Sequence, residues 1–232
     1  MKLILFDIDG TLLLSGGAGL RALDRAFASL HGVRGASQGI HFAGRTDPAI
    51  VHDIFVARLD REPLAAEMTA LLEAYVPLLE EEIAVSERFV VMPGVAALLE
   101  SLSLRDDLLI GLVTGNVERA AGIKLARAGL ARHFRYGGFG SDSPDRLELT
   151  RLGIARGERL AAEMSRDVSG VVVIGDTQND VRAGRGAGAF TVAVATGGVA
   201  IDALAAESPD LVLRDLAGAD EFIAAIDAID SR

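Results

Sequence analysis

The chain has 232 residues, of which 50% are apolar and 24% are charged, a composition typical of a globular protein with a sizeable core. Its net charge of −10, without a cluster of Lys or Arg, disfavours nucleic-acid binding, and the absence of cysteine excludes disulfides and thiolate metal sites. The apolar runs are too short to cross a bilayer and the first residues do not resemble a secretory signal, so we expect a cytoplasmic protein that does not bind membranes.

Short apolar runs, each bounded by Gly, Asp or Thr, predict strands that are buried on both faces of a parallel sheet. Segments with helical periodicity lie between them, and this alternation predicts an open α/β sheet with helices on both faces. The predicted strands are residues 3–6, 108–113, 171–174, 190–194 and, from a weaker signal, 211–213. The predicted helices between them are residues 95–104, 117–130, 147–164 and 181–187.

Residues 15–88 interrupt this alternation, because they show helical patterns and no convincing strand. Helices are predicted at 19–30, 47–59 and 64–85, and the last is expected to break at Pro77. A helical block inserted after the first strand is typical of a cap over a site. We therefore expect a core domain of residues 1–14 and 89–232 and a helical cap domain of residues 15–88.

The first strand ends in FDIDGTLL, where Asp7 and Asp9 lie two residues apart and point the same way. They stand at the carboxyl end of a parallel strand, which is where open α/β sheets bind ligands. Gly10 allows a sharp turn there, and the Thr11 side chain can bond the backbone of the turn. The alternative interpretation is a strand end with solvated acids that cap a helix.

A second acidic pair, Asp176 and Asp180 in GDTQND, follows the third strongly predicted strand. If a helix begins there, both carboxylates lie on one face, although Asp176 or Thr177 could instead be the N-cap of that helix. Four carboxylates at one edge of a sheet suit Mg²⁺, which prefers oxygen ligands.

The strand predicted at residues 108–113 leads into VTGN. There Thr114, Gly115 and Asn116 offer a hydroxyl, a flexible turn and an amide to anionic oxygens at the same edge. The same residues are also compatible with an ordinary turn or helix cap. None of the four histidines has metal-ligand spacing, and we expect them to pack or to face solvent.

In this order, FDIDGTLL, VTGN, a basic residue near position 146 and GDTQND resemble the motif series of the haloacid dehalogenase-like superfamily. The resemblance is strongest to phosphoglycolate phosphatase-like members, and β-phosphoglucomutase-like members share both acids and a similar cap. It implies a Rossmann-like core with a helical cap. It also implies a Mg²⁺-dependent phosphatase that acts on a small phosphorylated metabolite, phosphoglycolate-like or a sugar phosphate, through an aspartyl-phosphate.

The resemblance also implies roles for individual residues. Asp7 would be the nucleophile and Asp9 the general acid and base. Mg²⁺ would be bound by Asp7, Asp176 and the backbone carbonyl of Asp9, with Asp180 in support. Thr114 would bond the phosphoryl group. The remaining substrate contacts would come from the first and second motif loops, at Gly10, Thr11, Gly115 and Asn116.

Family members usually have a lysine at the third motif, but this chain contains only Lys2 and Lys124. Arg146 stands where that lysine is expected and can bind carboxylate and phosphate in a bidentate manner. Lys124 is the alternative source of this cation and a candidate substrate contact, although it lies about two turns into its helix and is expected to reach back poorly. Arg135 and Arg151 are weaker candidates.

The cap segment FAGRTDPAI, residues 42–50, is the predicted specificity loop, in which Arg45 could meet a substrate carboxylate or phosphate. Alternatively, Arg45 is solvated and Asp47 only caps the helix that starts at Pro48.

Several functions remain compatible with these residues. Dehalogenases of this superfamily lack the second acid of the first motif, so the presence of Asp9 disfavours dehalogenation. Phosphonatases of the superfamily form a Schiff base with a lysine of the cap, and residues 15–88 contain no lysine. A phosphomutase remains open, as does a non-catalytic phosphate-binding regulatory protein, although the intact acids argue against the latter. We expect a monomer or a homodimer.

Overall fold

A computed structural model of the chain describes residues 1–218 and 220–229. Six strands form a parallel sheet in the order β5-β4-β1-β6-β7-β8, and β2 pairs with β3 in a separate antiparallel ribbon. The strands are β1 (Lys2–Phe6), β2 (Leu13–Leu14), β3 (Val90–Val91), β4 (Leu108–Thr114), β5 (Gly137–Phe139), β6 (Gly170–Gly175), β7 (Phe190–Val194) and β8 (Leu211–Leu213). The helices are α1 (Ala18–His31), α2 (Asp47–Leu59), α3 (Ala65–Ala84), α4 (Val95–Ser103), α5 (Glu118–Ala128), α6 (Arg146–Glu163), α7 (Gln178–Gly186), α8 (Ile201–Ala205) and α9 (Asp220–Ala228).

Strand β1 lies in the middle of the sheet, and all five of its residues are buried. Ile4 and Phe6 face the cluster that includes α4, α5 and α9, whereas Leu3 and Leu5 pack on the opposite face, with Leu149 of α6. This alternation is the period-two pattern of a strand covered by helices on both sides, which confirms the predicted α/β fold. Each fully buried Leu, Ile or Phe contributes about 1.5–3 kcal/mol of transfer free energy to this core.

The topology brings the ends of three strands together. The chain leaves β1 for β4 and β5 on one side and later returns to β6 on the other, so β1 is the switch point of the sheet. Phe6 pairs with Leu112 of β4 and with Ile174 of β6. The residues that follow these strands therefore emerge side by side at one edge.

Helices α1 to α3 lie between the two strands of the β2–β3 ribbon and form their own apolar cluster. The rings of Phe27 and Phe55 meet edge to face, with 5.3 Å between their centroids. Sequence periodicity does not predict the ribbon, which holds together the two chain segments that lead into and out of these helices. The exact domain limits at residues 14 and 88 stay predictions.

Helix α3 runs without a break through Pro77, so the predicted break is wrong. Proline removes the hydrogen bond to the carbonyl of Glu73, and both residues lie on the exposed face, where water can bond that carbonyl. The opposite face buries Leu71, Tyr75 and Leu79 in the cap cluster, which offsets the cost of the proline.

Strand β5 was not predicted, because three residues with two glycines carry little strand signal. Its glycines serve close packing instead: a Cβ on Gly138 would lie 1.9 Å from the carbonyl oxygen of Leu149 in α6. The backbone of α6 can therefore lie directly on β5.

No helix in residues 1–218 and 220–229 combines the length and apolar character needed to cross a membrane.

Candidate active site

Three carboxylates meet where β1 and β6 end. Asp7 and Asp176 come directly after these adjacent strands, and Asp180 is the third residue of α7. One oxygen from each lies within 4.8 Å of the others, and all three residues are buried. Among the described residues, this is the group that could hold a metal ion.

The electrostatics of this cluster favour a bound cation. Burial, with the neighbouring charges of Asp180 and Asp9, raises the pKa of Asp7 to about 7. Burial and the charges of Asp180 and Asp7 raise the pKa of Asp176 to about 9. Three ionised carboxylates beside one guanidinium, that of Arg146, leave two negative charges, which one divalent cation would balance. The donor set contains only oxygen and so fits a hard cation.

Arg146 is the cation inside the cluster. It is the first residue of α6, whose N-cap, Asp145, accepts the backbone N–H of Glu148 at 2.9 Å. Its Nη2 donates to Asp7 Oδ1 at 2.7 Å and also to Asp180 Oδ1. The side chain is only 10% exposed, and both carboxylates raise the pKa of Arg146 above its usual value, against the effect of burial, so it stays charged.

The other arginine candidates lie elsewhere. Arg151 bonds the carbonyl of Gly186 at the protein surface, and Arg135 lines a different cavity. The arginine beside Asp7 is therefore Arg146, and not Arg135 or Arg151.

Lys124 reaches the site, contrary to the expectation from its position in α5. Its Nζ donates to Asp9 Oδ2 at 2.6 Å and to Asn116 Oδ1 at 2.5 Å, and the residue is buried. A helical side chain points back toward the N-terminus of its helix, which lets the long lysine stem span the two turns to the VTGN loop. Both cations therefore lie in the site. Arg146 bonds Asp7 and Asp180, and Lys124 bonds Asp9.

The VTGN loop joins the two sides of the site. Asn116 Nδ2 donates to Asp9 Oδ2 at 2.7 Å and to Thr114 Oγ1 at 2.8 Å. Thr114 accepts this bond, and its own O–H has no acceptor among the described residues, so it is free to donate to an anion. Gly115 permits close approach of the cap, because a Cβ there would lie 2.2 Å from the carbonyl oxygen of Arg45.

In the loop after β1, Gly10 and Thr11 have different surroundings. Gly10 lines the cavity above Asp7. Thr11 is fully buried and donates its hydroxyl to Asp176 Oδ1 at 3.2 Å, so it supports a carboxylate and does not present its side chain to a substrate. Thr177 is the N-cap of α7, and its backbone N–H and hydroxyl both donate to Asp180 Oδ2, so the N-cap interpretation and the site interpretation hold together.

A cap loop, residues 44–47, closes over the site. The Asn179 side chain donates to the carbonyl of Gly44 at 3.0 Å, and Thr46 Oγ1 donates to the carbonyl of Pro144 at 3.1 Å. The backbone N–H of Asp47 donates to the carbonyl of Gly115 at 2.7 Å. These bonds hold the cap loop beside a half-open cavity of about 250 Å³ between cap and core.

Sequence reasoning missed two polar residues of this cavity, Asp47 and Tyr75. Thr46, not Asp47, is the N-cap of α2, and Asp47 Oδ2 instead accepts the N–H of Val117 at 2.9 Å. Burial raises the pKa of Asp47 to about 6, although the nearby charge of Lys124 opposes the shift. No sequence pattern singles out Tyr75, which is an apolar-face residue of α3. Arg45, the predicted specificity residue, lines the cavity but is bonded to Asp53 Oδ2 at 2.5 Å.

A family model described as haloacid dehalogenase-like hydrolase matches residues 1–188, which include every residue of the site described above. The chain belongs to the haloacid dehalogenase-like hydrolases. This confirms the resemblance noted from the four motifs.

Curated relatives of this hydrolase include phosphoglycolate phosphatases from Pseudomonas savastanoi and Pseudomonas putida. They are 28% identical over 217 and 225 residues, and each alignment covers 93% of this chain and 77% of the relative. Similar solved structures include a Bacteroides vulgatus protein provisionally assigned as a β-phosphoglucomutase, with a TM-score of 0.70, 19% identity and coverage of 100% and 91%. Another is a predicted phosphoglycolate phosphatase from Haemophilus somnus, with a TM-score of 0.68, 19% identity and coverage of 96% and 98%. At this identity the solved structures show the fold of the hydrolase.

The carboxylate cluster predicts how a divalent cation and pH act together on the stability of this hydrolase. Free Asp has a pKa near 3.9, so in the absence of metal the folded cluster holds protons that the unfolded chain has released. The cluster therefore destabilises the fold as pH rises from about 4 through the pKa values of Asp7 and Asp176, and a bound cation removes that penalty. We expect Mg²⁺ to raise the melting temperature more at about pH 8.5 than at about pH 6, measured against a chelator by differential scanning fluorimetry.

Asp176→Asn is the control for this measurement, because it removes one carboxylate from the cluster. It should reduce the Mg²⁺ effect and flatten its dependence on pH. An equal Mg²⁺ effect at both pH values in the unmodified protein would contradict the account.

Proposed function

We propose that this hydrolase is a Mg²⁺-dependent phosphatase that hydrolyses a small phosphorylated metabolite through an aspartyl-phosphate on Asp7. Membership of the family and the relation to phosphoglycolate phosphatases support its assignment as a phosphoric monoester hydrolase. The observation that carries the mechanism is the placement of two carboxylates with different partners. Asp7 lies in the buried cluster with Arg146, whereas Asp9 is bonded to Lys124 and Asn116 on the other side.

Asp7, Asp176 and the backbone carbonyl of Asp9 would hold Mg²⁺, with Asp180 in support. When bound, the ion supplies positive charge that offsets the charge of the phosphoryl oxygens and of the carboxylate cluster. Arg146 adds a second, permanent positive charge at Asp7. Thr114 donates its free O–H to a phosphoryl oxygen.

In the first step, an oxygen of Asp7 attacks phosphorus, and the bond between phosphorus and the oxygen of the leaving alcohol breaks. Arg146 binds Asp7 Oδ1, which leaves Oδ2 available for the attack. Asp9 gives its proton to the oxygen of the departing alcohol. Asn116 and Lys124 both bond Asp9 Oδ2 and so fix the orientation of this carboxyl group, and neither residue bonds Oδ1.

In the second step, water attacks the phosphorus of the aspartyl-phosphate and Asp9 takes a proton from it. The bond between phosphorus and Asp7 breaks, which releases inorganic phosphate and regenerates both carboxyl groups. Water therefore supplies a hydroxyl group to phosphate and one proton to Asp9, and this proton replaces the one that Asp9 gave to the alcohol. The cap loop that closes over the cavity restricts the number of water molecules near the intermediate.

The first test is phosphate release from a panel of small phosphoesters, measured with and without Mg²⁺. The unmodified enzyme should release phosphate only with Mg²⁺, and Asp7→Asn should lower kcat by about 10³-fold or more, because an amide is a far weaker nucleophile. Asp106→Asn, which makes the same change at an exposed loop position, should retain full activity.

Full activity of Asp7→Asn would refute the mechanism, and the absence of phosphate release from every ester would refute the proposed function. Conversion of a sugar 1-phosphate to the 6-phosphate without net release would favour the phosphomutase alternative, which uses the same two carboxylates.

Arg146 provides the second test. Arg146→Ala leaves Asp7 and Asp180 without their shared cation, and we expect kcat to fall by about 10²–10³-fold. Arg146→Lys keeps the charge but loses the planar donor geometry, so it should recover part of that loss. Steady-state kinetics of both variants check this order, and unchanged turnover of Arg146→Ala would transfer the role to Lys124.

A further inference from the structure

The cavity above Asp7 has two chemically different sides. The core side carries the catalytic carboxylates and their cations, whereas the cap side is mostly apolar. Leu20, Leu23, Phe42 and Ile50 lie on the cap side, together with the polar residues Asp47 and Tyr75. Because the phosphoryl group must meet Asp7, the cap side is where the leaving alcohol would lie.

Every cation that lines this cavity, within the part of the chain that the structure describes, is already bonded to a carboxylate. Arg146 bonds Asp7 at 2.7 Å, Lys124 bonds Asp9 at 2.6 Å, and Arg45 bonds Asp53 at 2.5 Å. Phosphate and a divalent cation add charges that offset each other at the core side. A second anionic group on the substrate would therefore have to share a cation with a carboxylate of the protein.

Asp47 adds a negative charge on the cap side. Its residue is 7% exposed, one oxygen accepts the N–H of Val117, and the other oxygen has no hydrogen-bond partner among the described residues. This oxygen can accept a hydrogen bond from a hydroxyl group, and it repels a carboxylate that enters the same cavity.

Tyr75 provides a neutral partner beside it. The residue is 1% exposed and lines the cavity, yet its hydroxyl makes no hydrogen bond within the described residues. A hydroxyl that lines a cavity and has no partner in the protein can donate to a ligand. Asp47 and Tyr75 together offer an acceptor and a donor, which is the combination that binds alcohols.

We propose that the enzyme selects phosphate monoesters whose leaving alcohol is uncharged and carries further hydroxyl groups, and that Asp47 and Tyr75 read those hydroxyls. The apolar cap residues would contact the carbon skeleton. This inference rests on the proposed function, because it assumes that the phosphoryl group binds at Asp7. It implies that esters with a carboxylate on the leaving group, such as 2-phosphoglycolate, are poor substrates.

The test compares two matched pairs of substrates by kcat/KM with Mg²⁺ at neutral pH. The first pair is 2-phosphoglycolate and 2-phosphoglycolamide, which differ in charge but hardly in shape. The second pair is glycerol 1-phosphate and n-propyl phosphate, which differ in hydroxyl groups at the same chain length. We expect the amide to exceed the carboxylate, and glycerol 1-phosphate to exceed propyl phosphate, by about tenfold or more.

Two variants assign these preferences to their residues. Asp47→Asn should reduce the ratio of kcat/KM for 2-phosphoglycolamide to that for 2-phosphoglycolate, the first ratio, because it raises kcat/KM for 2-phosphoglycolate. Tyr75→Phe should lower the ratio of kcat/KM for glycerol 1-phosphate to that for n-propyl phosphate by about tenfold. Arg45→Gln should leave the first ratio unchanged. The substrate comparison on the unmodified enzyme does not depend on whether either variant folds.

Equal or better hydrolysis of 2-phosphoglycolate than of its amide would overturn this inference and leave the proposed function intact. A selective loss of 2-phosphoglycolate hydrolysis in Arg45→Gln would also overturn it, since carboxylate recognition would then lie at Arg45. A failure to hydrolyse any ester, by contrast, would refute the proposed function itself.

Discussion

The site depends on one buried guanidinium that bonds two carboxylates. Arg146 lies between Asp7 and Asp180, and without it three acids would meet at the end of two strands with no internal counter-charge. Removal of one partner from such a buried group typically costs about 3–5 kcal/mol, because the remaining charges are left uncompensated. Arg146 is held in place by the fold, because it opens α6 and α6 lies directly on the backbone of Gly138. The close contact of helix and sheet and the charge balance of the site are therefore parts of the same arrangement.

Core and cap contribute different chemistry. The core supplies the residues that would carry out phosphoryl transfer. Most of them lie at the end of a strand or at the start of a helix at one edge of the sheet, and Lys124 reaches this edge from the middle of α5. The cap supplies Asp47, Tyr75 and the apolar wall on the side of the leaving group. Hydrogen bonds from the loop of residues 44–47 to the core join the two sides. In our proposal the core would carry out the reaction, and the cap would determine which alcohol is accepted.

Much of this arrangement could be predicted from sequence, because it depends on local patterns and on simple topology. Apolar runs identify the central strands, and the rule that ligands bind at their carboxyl ends places Asp7 near Asp176. The resemblance to the family's motif series, in which a lysine is expected at the third motif, singled out Arg146. The family match then confirmed the motif resemblance.

Other features depend on contacts that no local pattern encodes. The reach of Lys124 is set by the direction of a side chain back along its helix, and the partner of Asp47 is a backbone N–H seventy residues away. Tyr75 has the periodicity of an ordinary core residue, and its exposure to a cavity follows from how the cap sits on the core. Continuity of α3 through Pro77 reflects tertiary burial that outweighs local propensity.

The most direct measurement is the detection of the covalent intermediate. Borohydride reduces an aspartyl-phosphate to homoserine, so enzyme quenched during turnover with Mg²⁺ and a small phosphoester can be reduced, digested and analysed by mass spectrometry. The account predicts homoserine at position 7, dependent on substrate and on Mg²⁺. Efficient turnover with no homoserine at position 7, or with homoserine at another aspartate, would contradict it.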